Sequence, residues 1–347
     1  VCTYVRTYVR TYVRTYVREY KIRLLLKMTQ LMKDMNFLAM QQKFSNPDVT
    51  ANGDQRASVP LMKATTLWFN TGTLCNIECV NCYIESSPKN DSLVYITPDE
   101  VSDYLDQIDQ REWATNEIAF TGGEPFLNPD MIEITRRCLD RNYKVLILTN
   151  AMLPMMRKSV QNGLLDLRLE YNERLTLRVS LDHYTAKFHD TERGKGSYNI
   201  TLNGMKWLRD NGFKMAIAGR TVWGDSDIDS RLGYAKLFND NKFEIDANDP
   251  NVTVLFPEID EKIDVPEITT ECWGILNKSP KDVMCASSRM VVKRKGAKKP
   301  SVVACTLLPY SKEFEMGNSL EEAEGVVKLN HPHCAKFCVL GGASCSS

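Results

Sequence analysis

What the chain lacks narrows its class first. No apolar run approaches the roughly 18 residues of a membrane-spanning helix, and no secretory apolar segment follows the start, which speaks against a helical membrane protein or a secreted one. Net charge is also missing. The 44 basic and 44 acidic side chains cancel, removing any bulk electrostatic reason to expect nucleic acid, an anionic membrane or a strongly acidic partner. Histidine is scarce, with 4 in 347 residues. His183 and His189 read as polar lining, and His331 and His333 as loop positions that at most lend a ligand beside Cys334. Cysteine, by contrast, is plentiful, and its count of 11 is odd. In the cytoplasm expected for this chain thiols stay reduced, and metal ligands need not pair off, so disulfides are the weaker explanation. Cys138 sits in a helical pattern and reads as core filler.

At this length, with 43% apolar residues, the chain suits one large α/β domain and a smaller one. Residues 3–18 are four copies of Thr-Tyr-Val-Arg. A translated ACGT nucleotide repeat would give that peptide without selection for structure, so residues 1–18 are expected to be non-functional, with Met28 or Met32 as a start. Residues 19–62 read as an N-terminal amphipathic helix, over 20–45, followed by a polar linker.

From about Thr65 the pattern becomes regular. Strands are expected at Thr66–Phe69, Ile118–Phe120, Val145–Leu148, Leu175–Ser180, Lys214–Ala218 and Val252–Phe256, alternating with helices. Thr97-Pro98-Asp99-Glu100 has the chemistry of a helix start, Asn128-Pro129-Asp130 repeats it, and Ser197 is a further candidate cap. Strand–helix alternation implies a parallel sheet, doubly wound or curled toward a barrel, with chemistry at the C-terminal ends of the strands. After about Pro257 the rhythm breaks, and six cysteines follow: Cys272, Cys285, Cys305, Cys334, Cys338 and Cys345. A hairpin with a basic turn near Gly296 would bring Cys285 and Cys305 together.

Cys75, Cys79 and Cys82, spaced C-x3-C-x2-C directly after the first strand, suit one corner of an iron–sulfur cube. The fourth iron would remain open to a substrate or cofactor, which points to an enzyme. After the second strand comes Gly122-Gly123-Glu124-Pro125, where paired glycines would let backbone approach a small molecule and Glu124 would offer a fixed carboxylate.

Together these motifs resemble the radical S-adenosylmethionine (SAM) superfamily. The resemblance implies a partial (β/α)6 barrel over residues 63–258, with Cys75, Cys79 and Cys82 on a [4Fe–4S] cluster whose unique iron is chelated by S-adenosylmethionine. Gly122 to Pro125 would meet the methionyl amine, Asn150, Ser180 and Asp182 the ribose or substrate, and Arg193 or Arg220 the methionyl carboxylate. One electron to the sulfonium would release a 5′-deoxyadenosyl radical that abstracts a substrate hydrogen. The family's aromatic residue before the third cysteine is here Asn81, with Tyr83 after it.

Residues 259–347 are similar to SPASM and twitch extensions, implying one auxiliary [4Fe–4S] cluster, or two. Cys285, Cys305, Cys334 and Cys338 are the preferred ligands, with Cys345 and Cys272 in reserve. The implied partners are a low-potential donor such as flavodoxin or ferredoxin and a peptide or small-metabolite substrate. The rival reading is a non-catalytic iron–sulfur or zinc protein that relays electrons or scaffolds partners. It gives no reason for Gly122 to Pro125 or for Ser180 to Asp182.

Overall fold

The computed structural model describes residues 43–257 and 264–341, with Lys21 and Lys27 besides. The Thr-Tyr-Val-Arg repeat, Cys345 and nearly all of the helix expected over 20–45 lie outside the described residues. The elements run β1 (Ser58–Val59), β2 (Thr66–Asn70), α1 (Pro98–Gln110), β3 (Glu117–Thr121), α2 (Met131–Asp140), β4 (Lys144–Thr149), α3 (Lys158–Tyr171), β5 (Leu175–Ser180), α4 (Ala186–Arg193), α5 (Ser197–Asp210), β6 (Lys214–Arg220), α6 (Asp227–Asn241) and β7 (Thr253–Phe256). A cysteine-rich part follows with α7 (Cys272–Ile275), β8 (Ser288–Val292), β9 (Ser301–Val303) and β10 (Val327–Lys328).

The main sheet has the order β7-β6-β5-β4-β3-β2-β8-β9 and is parallel from β7 through β8. Which face the helices cover decides its architecture. Phe69, Phe120, Ile147, Val179 and Ile217 share one hydrophobic core with the buried stripes of α1, α2, α3, α5 and α6. Trp68, Ala119 and Leu146, pointing the opposite way on the same strands, join a second core with Met290, Val303 and Phe337 instead. A doubly wound sheet carries helices on both faces. Here they cover one, so the arrangement is a partial α/β barrel whose inner face is filled by the C-terminal part.

Local signals work unevenly. Thr97 and Glu100 form a reciprocal capping box at the start of α1, with Thr97 Oγ1 accepting from Glu100 N at 3.3 Å and Glu100 Oε2 accepting from Thr97 N at 3.0 Å. Asn128 does not cap α2. Its Oδ1 accepts from Asp130 N at 3.0 Å, closing a turn before the helix, while its amide donates to Ile96 O. Nor does Ser197 cap α5. The Asp190 carboxylate, delivered from α4, takes the orphan Gly196 N (2.7 Å) and Tyr198 N (2.8 Å).

The expected polar linker is strapped down. Arg56 is buried, its guanidinium pairs with Glu267 at 2.5 Å and donates to Leu329 O, and β1 pairs antiparallel with β10. The expected hairpin forms as β8–β9, with Met290 opposite Val303. Its first strand also extends the barrel sheet, Thr66 lying opposite Ser288.

Candidate active site

A cleft of about 1020 Å³, counting its mouth, opens at the C-terminal ends of the strands. Cys75, Cys79 and Cys82 line it together with Gly122, Gly123, Asn150, Ser180, Asp182, Arg193 and Arg220. Most of the residues singled out in the sequence thus share one hollow. Cys75 is buried, with Asn150 Nδ2 at 3.9 Å from its sulfur, and Ser86 N donates to Cys82 Sγ at 3.3 Å. Burial pushes the Cys75 thiol up to about 12 and raises Cys79 too, the latter opposed by the Arg193 and Arg220 charges.

The two motifs are locked to each other. Gly123 N donates to Gly72 O at 2.9 Å and Glu124 N to Leu74 O at 3.1 Å, both on the chain entering the cysteine loop. A Cβ on Gly122 would meet Gly72 O at 2.6 Å, and one on Gly123 would overlap the Leu74 carbonyl. Gly122 also has φ +147°. The glycines therefore make room for the protein's own backbone. Glu124 is buried and committed as well: Oε1 accepts from Thr149 Oγ1 (2.9 Å) and Phe126 N (3.3 Å), and Oε2 from Asn150 N (2.8 Å). Burial still raises its carboxyl to about 7 against those bonds. Pro125 opens the 3-10 turn that follows.

On the facing side, Arg193 grips buried Asp182 with two bonds of 2.6 and 3.1 Å, and Arg220 lies 3.4 Å from the same carboxylate. Burial would raise Asp182, but the Arg193 and Arg220 guanidiniums hold it below the usual carboxylate range. Two cations face one anion on this wall, with the buried Glu192 carboxylate behind Asn81. Arg220 also donates to Asn81 O at 2.8 Å, and Asn81 Nδ2 to Glu192 Oε1 at 2.7 Å, so Asn81 braces the cysteine loop. Tyr83 lines the cleft, its hydroxyl 3.4 Å from Thr121 Oγ1. His189 is buried with Nδ1 accepting from Asp182 N at 3.2 Å, and burial lowers its ring to about 4, so it is neutral.

A second hollow of about 370 Å³ is lined by Cys285, Cys305, Cys334, Cys338 and His333 among apolar side chains. Cys272 is not on its wall; its sulfur accepts from Thr269 N at 3.3 Å at the start of α7. Cys334 and Cys338 lie on a π-helical turn, Cys334–Leu340. Burial raises the Cys285 thiol to about 11 and raises Cys334 as well. Leu307 lines both hollows. Among the described residues, no three His, Cys, Asp or Glu side chains close around a single ion.

Residues 69–231 match the family model described as Radical SAM superfamily. The chain carries a radical SAM domain over that segment, a little under half of its length. It is 30% identical over 222 residues to the antilisterial bacteriocin subtilosin biosynthesis protein AlbA of Bacillus subtilis, covering 62% of this chain and 46% of that protein. It is 31% identical over 144 residues to the AdoMet-dependent heme synthase of Methanosarcina barkeri, covering 41% and 38%. The chain spans less than half the length of these curated relatives. Its fold resembles Streptococcus suis SuiB bound to precursor peptide SuiA, with a TM-score of 0.56, 15% identity and coverage of 77% and 66%. Native anSMEcpe with bound AdoMet gives 0.52, 16%, 77% and 81%.

The radical SAM match covers the mouth cysteines, the glycine turn, Asp182 and both arginines, while the second hollow lies beyond it. Several cleft residues carry no sequence signature. Trp68 and Ser86 line the wall, and both Trp68 Nε1 and Ser86 Oγ are buried without a partner among the described residues. Asn76 accepts from Asn150 Nδ2 at 2.9 Å beside Cys75. Phe337 reaches in from the π turn and stacks on Phe256 at 5.3 Å. Among the described residues, no helix is long and apolar enough to cross a membrane.

Proposed function

We propose that this protein is a radical SAM enzyme that abstracts a hydrogen atom from a peptide side chain in an oxidative or bond-forming maturation. The observation that carries the reading is the convergence of Cys75, Cys79 and Cys82 with the glycine turn and the cationic Arg193–Arg220 wall on one cleft. The donor set suits the cofactor. One buried and two half-buried thiols beside two guanidiniums favour an anionic thiolate-bound group, and the orphaned Trp68 and Ser86 polar atoms leave capacity for one more occupant.

Cys75, Cys79 and Cys82 would hold a [4Fe–4S] cluster, with Ser86 N steadying the Cys82 sulfur. Once bound with S-adenosylmethionine, that cluster supplies reductive cleavage of the sulfonium and hence a hydrogen-abstracting radical. The backbone of Gly122 to Pro125 would take the methionyl amine, with Glu124 acting as the strut that fixes the turn to Asn150. Arg193 and Arg220 would offer their guanidinium charge to the methionyl carboxylate. Ser180, Asp182 and Asn150 are the polar contacts for ribose, and Leu148, Phe256, Leu307 and Phe337 would exclude water around the reacting atoms.

A peptide substrate is supported by the relatives whose names concern bacteriocin biosynthesis and a bound precursor peptide. A small metabolite is the second reading, supported by the heme synthase match. Cys285, Cys305, Cys334 and Cys338 would hold an auxiliary [4Fe–4S] cluster, and a low-potential flavodoxin or ferredoxin would deliver the electron.

The test uses the full chain, reconstituted anaerobically with iron and sulfide, reduced with S-adenosylmethionine present, and assayed for 5′-deoxyadenosine. Product that disappears in Cys79→Ala is expected. No product from protein with full iron content and an intact cluster spectrum would overturn the reading in favour of an electron-relay or scaffold protein. Adding candidate precursor peptides against small metabolites then separates the substrate classes, by which one raises turnover.

A further inference from the structure

The four-cysteine hollow is flanked by positive charge that no carboxylate among the described residues balances. Arg289, on β8, is fully buried. Its guanidinium donates to Ala323 O (2.8 Å), Cys285 O (2.5 Å), Ser288 O (2.8 Å) and Gly325 O (3.1 Å), all neutral carbonyls. Arg56, also buried, instead meets the Glu267 carboxylate at 2.5 Å. Arg289 has its hydrogen bonds satisfied and its charge unsatisfied, and the thiols within its electrostatic reach are Cys285 and Cys305.

A second cation lies close by along the chain, off the wall of the hollow. Lys336 stands on the π turn between Cys334 and Cys338, and its Nζ is buried with no hydrogen-bond partner among the described residues. A buried ammonium without a counter-charge is costly unless something anionic belongs nearby. Four thiolates give an iron–sulfur group net negative charge, and such charge is a main determinant of its potential.

We infer that Arg289 and Lys336 are buried counter-charges for the group held by Cys285, Cys305, Cys334 and Cys338, and that they raise its reduction potential by favouring the additional electron. This rests on the reading of that hollow as a cluster site. Both are positioning residues in the electrostatic sense, since neither supplies a ligand atom. The bland alternative for Arg289 is a clip that ties the 323–325 turn to β8.

The experiment uses the full chain in a Cys75→Ala, Cys79→Ala, Cys82→Ala background, which leaves the C-terminal group as the only cluster. Iron and sulfide are counted and the potential is read by redox titration followed by electron paramagnetic resonance. Arg289→Gln and Lys336→Met are each expected to keep the iron and sulfide of the parent and to shift the one-electron reduction equilibrium toward the oxidised form by about tenfold, some 59 mV. Arg289→Lys, which keeps the charge but not the fork, should stay near the parent value. Should Arg289→Gln fail to fold, Lys336→Met still decides, because its ammonium has no hydrogen bond to lose. Unchanged potentials with iron intact, in every variant that folds, would overturn the assignment. A parent that binds no iron and sulfide fails differently, by removing the cluster reading itself.

Discussion

The mouth cleft and the C-terminal hollow both gather cysteines, but their surroundings differ in kind. At the mouth three thiols sit beside Asp182, Arg193, Arg220 and Asn150, with hydrogen-bonding capacity left on Trp68 and Ser86. In the hollow four thiols face Val283, Leu308, Phe314 and Val327, with charge kept behind the wall on Arg289. A polar, partly open wall can recruit a charged cosubstrate to a vacant ligand position. An apolar wall suits a fully ligated group and leaves the protein to tune it from outside. The count of cysteines and the chemistry of the walls thus point the same way at each site.

The comparison breaks most visibly through single ligands. Cys79→Ala is expected to abolish 5′-deoxyadenosine formation, whereas Cys334→Ala should lose iron yet still cleave S-adenosylmethionine. Chromatography of the product beside iron analysis checks both, and equal losses would mean the two sites do not work separately.

Next in size is Asp182→Asn, which leaves the partly buried Arg193 and Arg220 without their carboxylate. A loss of about 3–5 kcal/mol in urea unfolding of the apo chain is expected. Its pH dependence follows from the sign of the shift: a carboxylate held low stabilises above its unfolded pKa, and that contribution fades as pH falls through the lowered folded value.

Glu124 has the opposite sign. Its folded pKa of about 7 exceeds the ordinary 4.5, so the folded chain binds the proton more tightly and stability falls as pH rises between those values, by roughly 3 kcal/mol. In Glu124→Gln that slope should vanish relative to wild type, as read from unfolding midpoints across pH 5 to pH 7.

The smallest of these effects is expected for Gly123→Ala, where the methyl group overlaps the Leu74 carbonyl. A loss of about 1–3 kcal/mol should accompany weaker iron binding at the mouth, with the C-terminal hollow unaffected.

Periodicity and local chemistry made the strand series legible. Leu175–Ser180 is the strand the pattern predicts, and β2, β3, β4, β6 and β7 differ from expectation only at their ends. The cysteine loop and the glycine turn were legible because spacing alone carries their chemistry. What stayed hidden is non-local. Nothing near Arg289 in sequence shows that β8 will lie against β2, or that Arg289 will be buried behind thiols. The α5 cap came from Asp190 on the preceding helix, since a carboxylate outcompetes the Ser197 hydroxyl for orphan N–H groups. Paired glycines looked like room for a ligand, and only the Gly72–Leu74 backbone pressed against them reveals what they accommodate.

The strand that launches the mouth cysteines is flanked by β3 on one side and by β8 on the other. Thr65 and Ser287 bond across 222 residues, and Arg56 reaches Leu329 across 273. During synthesis the barrel strands therefore emerge and pair long before their inner face has its filling, leaving Trp68 and Leu146 uncovered until the last part of the chain arrives. Such long-range closure is slow, and the waiting state is aggregation-prone. Slow growth at low temperature, with iron and sulfide supplied during expression, is accordingly the condition under which this chain should be recovered soluble.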